Sequence, residues 1–320
     1  MAPIRQILCC TDLSAASEPA WREACLLARV LGADVLLLHV VAMLIVPAEL
    51  YVPPAVSQEW TDAGDREALK GFARLLGQQT LPTTRVMTRV EIGSASDGIL
   101  RVAGDTGVDL VVVGTHGRTG LPLALLGSVA DRVVRLAPCA VVTVRARPDR
   151  PVPIPERLRR ICYATDFSAP AHAAWPLVLT LAEATGAEVD LVHVVQEVAA
   201  GRDLSSTSRE SIARALRGHA ESQAHRLIQG SPLPDGRVHV VMPSGMPAEE
   251  IMRSAEARNA DIIVMATHGW SGLRRWMLGS VAHHVIQAAP CPVLTVGPHA
   301  PHEEPAGEPS GRKENLRAAG

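Results

Sequence analysis

Short apolar runs alternate with segments of helical period along most of the 320 residues. From the amino terminus, Arg5 to Thr11 reads as a strand, Ala16 to Leu31 as a helix stopped by Gly32, and Asp34 to Val41 as a second strand. A proline-bearing excursion (Pro47, Pro53, Pro54) leads to a helix over Ser57 to Gln78 and a strand over Arg85 to Ile92. A helix at Ser96 to Thr106, a strand at Asp109 to Gly114, a helix at Val129 to Leu136 and a strand at Ala140 to Arg145 follow. The order then begins again, with strands at Arg160 to Thr165, Glu188 to Val195, Arg237 to Met242, Asp261 to Ala266 and Pro292 to Val296, and helices between them. Strands such as Leu110 to Val113 and Ile262 to Met265 are apolar at every position, as expected where helices cover both faces of a parallel sheet. The pattern predicts an α/β protein of two tandem, doubly wound domains, each with a five-stranded, mainly parallel sheet flanked by helices. Such folds bind ligands at the carboxyl ends of their strands.

The second half repeats the first in residues as well as in period. Laid over each other at an offset of 152, residues 114 to 144 and 266 to 296 agree at 17 of 31 positions, including Leu126 to Ala130 with Leu278 to Ala282. Near the start of each half the offset is 154: Thr11-Asp12-Leu13-Ser14 matches Thr165-Asp166-Phe167-Ser168, Trp21 matches Trp175, and His39-Val40 matches His193-Val194. A duplicated domain accounts for this. The expected division is 1–147 for the first unit, 148–158 for a proline- and arginine-rich linker, 159–297 for the second unit, and 298–320 for a tail without periodicity that reads as disordered.

Composition narrows the function class. A hydrophobic fraction of 47% suffices for two cores, and a net charge of -2 gives no footprint for nucleic acid or an anionic membrane. The longest apolar run, Val35 to Ala48, is interrupted by His39 and Pro47 and is too short to span a bilayer. With no signal-peptide pattern, a soluble cytoplasmic protein is expected. The six cysteines have neither CxxC nor metal-ligand spacing and read as buried thiols.

The chemistry-bearing motif is a turn between an apolar strand and a helix. Gly114-Thr-His-Gly117, nine residues, then Gly127-Ser128 returns as Ala266-Thr-His-Gly269, nine residues, then Gly279-Ser280. A glycine turn running into a helix start presents backbone N–H groups and the positive end of the helix dipole to phosphate. Glycine offers positive φ and close approach; Ser128 reads as opening a helix, its hydroxyl either capping an N–H or turning toward phosphate, and Asp131 as a capping-box partner, with His283 in the corresponding place. Ala266 in place of the first glycine is harmless if φ there is negative. Trp270 replaces Arg118 while Arg274 and Arg275 restore charge nearby, so the first turn is the more faithful to the motif. His116 and His268 have no nucleophile or acid partner at readable spacing and read as structural; Trp21 and Trp175 read as packing residues. Pro176, well inside a helix, predicts a kink or a delayed helix start. No GxxxxGK[ST] occurs and no acidic pair suggests two-metal chemistry, so the residues favour holding a nucleotide over turning it over.

Together these features resemble the universal stress protein family in its tandem two-domain form, over residues 3 to 297. The resemblance implies an adenine nucleotide alpha hydrolase-like fold and ATP as ligand; bound ATP can bring Mg²⁺ with it. By that resemblance Asp12 sits beside ribose and adenine, Val40 lines the adenine slot, and Gly114, Gly117, Gly127 and Ser128 hold the phosphates. In the second unit the matching positions are Asp166, Val194, Ala266, Gly269, Gly279 and Ser280. It also implies that the last strands of the units meet in an internal pseudo-dimer, beyond which the whole chain is free to form a homodimer. The expected function is a nucleotide-dependent regulator or sensor in the stress response. The alternatives are a weak ATPase, a protein-interaction module that uses its glycines only for turns, and a sensor of AMP or a cyclic nucleotide.

Overall fold

The computed structural model describes residues 3–42, 54–79, 84–116, 126–146, 157–196, 206–269 and 278–298. The first unit runs β1 (Gln6–Thr11), a short 3-10 turn (Ala15–Ser17), α1 (Glu18–Leu31), β2 (Asp34–Val41), α2 (Pro54–Leu76), β3 (Val86–Ile92), α3 (Ala95–Thr106), β4 (Leu110–Gly114), α4 (Ser128–Leu136) and β5 (Ala140–Val144). The second runs β6 (Arg160–Ala164), α5 (Ala169–Thr185), β7 (Glu188–Val192), α6 (Ser206–Gln229), β8 (Val238–Val241), α7 (Pro247–Ala257), β9 (Ile262–Ala266), α8 (Ser280–Ala288) and β10 (Val293–Val296).

The strands form one sheet in the order β3-β2-β1-β4-β5-β10-β9-β6-β7-β8. Within each unit the pairing is parallel. The order reverses between β1 and β4, and between β6 and β9, which opens a crevice at the strand ends there. The units join through β5 and β10, which are antiparallel, with Val293 opposite Thr143 and Thr295 opposite Val141. Two threonines lock this seam reciprocally: the Thr143 hydroxyl donates to the Val293 carbonyl (3.2 Å) and the Thr295 hydroxyl to the Val141 carbonyl (3.1 Å). The last strands thus meet as the resemblance implied, and the crevices of the two units open on opposite edges of the sheet.

Helices cover both faces, and each face has a hydrophobic layer that crosses the seam. One layer buries α1, α2, α5 and α6. The other buries α3, α4, α7 and α8. The continuous apolar strands are the consequence, because a residue pointing to either face meets a helix. Trp21 is fully buried, with its indole N–H donating to the Leu75 carbonyl (2.9 Å); Trp175 packs against Tyr163 with centroids 5.2 Å apart. Both are packing residues. All six cysteines are buried free thiols.

The structure corrects three local expectations. The first helix does not begin at Ala16: a 3-10 turn precedes it, and α1 starts at Glu18. The second strand of unit two ends at Val192 and continues only as an isolated bridge from Val195 to Ser244. Of the two outcomes expected at Pro176, a kink or a delayed start, the delayed start does not occur. The helix begins at Ala169, where the Ser168 hydroxyl caps the Ala171 N–H (3.3 Å), and Pro176 lies inside it with its ring exposed. A strong cap and a buried apolar face outweigh one lost hydrogen bond. The expected linker falls almost wholly, and the expected tail beyond Pro298, outside the described residues. Among the described residues no helix is long and apolar enough to cross a membrane.

Candidate functional site

Each site is built first by the turn that leaves β1 or β6. Leu13 and Phe167 occupy the left-handed region, at φ 63° and 60°. That conformation costs a non-glycine residue about 1–2 kcal/mol, and it recurs at the same place in both units. It is held from both sides. The Leu13 N–H donates to Thr11 Oγ1 (3.0 Å), and the Ser14 N–H (3.0 Å) and hydroxyl (2.6 Å) donate to Asp12 Oδ1. In the second unit the Phe167 N–H donates to Thr165 Oγ1 (3.0 Å) and the Ser168 N–H to Asp166 Oδ1 (3.0 Å). Asp12 and Asp166 are therefore turn residues, and the turn also fixes one carboxylate oxygen at the strand end.

The end of the next strand is clamped to this turn. The His39 Nδ1–H donates to the Thr11 carbonyl (2.8 Å) and the His193 Nδ1–H to the Thr165 carbonyl (2.9 Å). Because a carbonyl only accepts, each ring carries its proton on Nδ1. Val40 and Val194 follow directly and line their respective cavities.

The third component is the passage from β4 to α4, and from β9 to α8. Gly127 donates its N–H to the Thr115 carbonyl, and Gly279 to the Thr267 carbonyl, each at 2.9 Å. A β-carbon on Gly127 would lie 2.8 Å from the Thr115 carbonyl oxygen, and one on Gly279 3.0 Å from that of Thr267. Their φ values are -61° and -59°. Glycine is needed at these positions for close approach, and positive φ plays no part. Gly114 and Ala266 likewise lack positive φ, which explains why alanine is tolerated in the second unit.

The capping expectation is overturned. Gly127 and Gly279 occupy the N-cap positions and no side chain caps either helix; Ser128 and Ser280 are the first helical residues and are exposed. The strand-end carbonyl draws the glycine into the cap position, so the serine falls one residue too late to cap. Asp131 pairs with Arg135 on its own helix and makes no capping box. The α8 helix has no acid in its first turn, as the sequence indicates. Among the described residues, the N-cap position of neither helix supplies a side-chain acceptor to the first-turn N–H groups.

These pieces enclose a cavity of about 540 Å³ in the first unit and about 650 Å³ in the second. Asp12, Val40, Gly114, Gly127 and Ser128 line the first; Asp166, Val194, Ala266, Gly269, Gly279 and Ser280 line the second. Gly117, Arg118, Trp270, Arg274 and Arg275 lie outside the described residues. His116 and His268 each place Nδ1 2.9 Å from the hydroxyl of the preceding threonine, so both take part in hydrogen bonding at the cavity edge. Burial pushes the Cys10 thiol in the first cavity well above its ordinary value, which removes it as a nucleophile. Among the described residues no group of three or more His, Cys, Asp or Glu side chains converges on a metal position.

The sequence missed the fourth wall, contributed by α2 and α6. Gly64 and Glu67 line the first cavity, and Leu216, His219 and Gln223 line the second. Only the offset of 152 that superimposes the two helices identifies these positions as equivalents.

Residues 3–145 and 157–297 each match the universal stress protein family. The chain belongs to that family. A universal stress protein of Mycolicibacterium smegmatis is 27% identical over 305 residues, covering 91% of this chain and 97% of that relative. A universal stress protein of Methanocaldococcus jannaschii is 34% identical over 138 residues, covering 43% of this chain and 81% of that relative. The crystal structure of a universal stress protein from Archaeoglobus fulgidus shares the fold at a TM-score of 0.62 with 21% identity, covering 92% of this chain and 99% of that one. The tandem universal stress protein architecture therefore extends over both units.

Proposed function

We propose that each unit binds an adenine nucleotide, with ATP as the ligand, and that the protein acts as a nucleotide-dependent regulator or sensor in the stress response. The observation that carries this reading is a coincidence repeated at both strand-end cavities. An uncapped helix N-terminus, a glycine packed onto a strand-end carbonyl and a carboxylate fixed by a turn all face one space of nucleotide size. Phosphates sit at the first-turn N–H groups of α4 and α8, beside Gly114, Gly117, Gly127 and Ser128 or Ala266, Gly269, Gly279 and Ser280. Asp12 and Asp166 accept hydrogen bonds from ribose hydroxyls, and Val40 and Val194 contact the base. Mg²⁺ enters as the counter-ion of the triphosphate, held mainly by the nucleotide itself.

Among the described residues, the one cysteine of the first cavity, Cys10, is held as a thiol by burial, and the sequence has no GxxxxGK[ST] lysine, which supports occupancy as the signal in preference to fast hydrolysis. Isothermal titration of ATP into the full chain tests the reading. Two sites, one lost in Gly127→Val and the other in Gly279→Val, support it; no heat of binding at millimolar ATP in a folded chain contradicts it. Asp12→Ala and Asp166→Ala, which add no bulk, serve as second variants should the valines disturb folding.

A further inference from the structure

The two cavities differ on one wall, and the difference is chemical as well as steric. At the offset of 152, buried Ala68 and Phe72 of α2 correspond to buried Ala220 and Ala224 of α6, which fixes the alignment of the helices. Gly64, Glu67 and Gly71 then correspond to Leu216, His219 and Gln223. In the first unit the two glycines let α2 settle onto the turn and strand: a β-carbon on Gly71 would meet Leu13 Cδ1 at 2.7 Å, and one on Gly64 would meet Val41 Cγ1 at 3.2 Å. In the second unit leucine and glutamine stand at those places, and the cavity is the larger of the two.

His219 and Gln223 are one helical turn apart and 3.2 Å from each other, Nε2 to Nε2. The amide nitrogen only donates, so His219 accepts there and carries its own proton on Nδ1. Gln223 keeps its carbonyl oxygen and a second N–H for another partner. Both side chains line the cavity. The wall stands opposite the phosphate end: Ala220 and Ala224 of α6 pack in the layer on one face of the sheet, and Ala282 and Val285 of α8 in the layer on the other. Val194, which contacts the base in the reading above, lies in the α8 layer, and the cavity continues from it across the strand ends to His219 and Gln223.

We infer that the Gln223 amide, oriented by His219, reads the edge of the base in the second cavity, and that the first cavity, with Gly71 at that position, lacks this selection. This rests on the nucleotide reading above. A glutamine amide offers the acceptor and donor that match the exocyclic amino group and N7 of adenine, and it mismatches guanine at the same edge. The second unit selects adenine nucleotides over guanine nucleotides, and the first binds both.

The test is titration of ATP and of GTP into the full chain with one cavity closed, by Gly127→Val to read the second unit and by Gly279→Val to read the first. The second unit is expected to prefer ATP by about tenfold or more, the discrimination one bidentate pair supplies, and the first by less than about threefold. Gln223→Ala in the Gly127→Val background brings the ratio below about threefold while circular dichroism is unchanged. His219→Ala gives an intermediate ratio. An ATP-to-GTP ratio unmoved by Gln223→Ala, or equal in the two units, overturns the inference and leaves nucleotide binding standing. Absence of either nucleotide from both cavities overturns the nucleotide reading and this inference with it.

Discussion

Asp166 and Gly269 lie in such close contact that a β-carbon on the glycine would collide with the carboxylate Oδ2. The turn after β6 and the glycine turn after β9 therefore form one unit before any ligand arrives. The carboxylate held by the Ser168 N–H on one oxygen has the glycine backbone against the other.

Gly269→Ala is accordingly expected to push Asp166 from its position. Overpacking of this kind costs about 1–3 kcal/mol, read as a lowered midpoint in thermal unfolding. Nucleotide occupancy of the second unit falls and that of the first is retained, which titration of the variant checks. Unchanged stability and occupancy would show that the contact is not maintained in solution.

The shared sheet predicts cooperative unfolding. Both hydrophobic layers cross from one unit to the other, and α1 packs on α5 over the seam. Scanning calorimetry of the chain is expected to give one transition. Leu294→Asp, which buries an unpaired charge in β10, should lower the stability of both units together. Two separated transitions, or a loss confined to the second unit, would contradict a single folding body.

A buried carboxyl makes stability depend on pH. Glu23, on α1, is 1% exposed, and its Oε1 has no hydrogen-bond partner among the described residues. Burial, with a smaller contribution from the charge of Asp261 in the other unit, raises its pKa from 4.5 to about 8. The folded chain therefore holds this proton where the unfolded chain releases it. Stability falls as pH rises from about 4.5 to about 8 and is level beyond, since both states are then ionised. Glu23→Gln is expected to flatten that slope and to raise the midpoint at pH 8, the opposite of the usual effect of removing a carboxylate. Chemical denaturation from pH 5 to 9 measures both; a slope unaltered by the substitution would show that Glu23 is not the group responsible.

The fold was legible because its cause is simple. Strands apolar at every position, such as Leu110 to Val113, demand helices on both faces, and the repeat at an offset of 152 to 154 showed that the solution is used twice. Within the candidate site, the motif residues that are described line the two strand-end cavities, for physical reasons that differ in part from those the sequence suggested. Of the two reasons for a glycine at 127, positive φ and close approach, only close approach applies, and the group that approaches is the Thr115 carbonyl. Ser128 looked like a cap because serine after a loop and before a helix usually is one; the hydrogen bond from the Gly127 N–H to Thr115 moves the cap back by one residue. The left-handed Leu13 and Phe167 carry no local signal, since neither side chain favours that conformation. The wall of His219 and Gln223 lies on a helix whose polar residues look like any solvated face until the cavity beneath it is seen.

The most direct test of the central claim is native mass spectrometry of the freshly purified chain, with and without added Mg-ATP. The account predicts two adenine nucleotides per chain at saturation, reduced to one in either Gly127→Val or Gly279→Val. A folded chain that stays empty at millimolar ATP would contradict it, and would leave the paired glycine turns as scaffold alone.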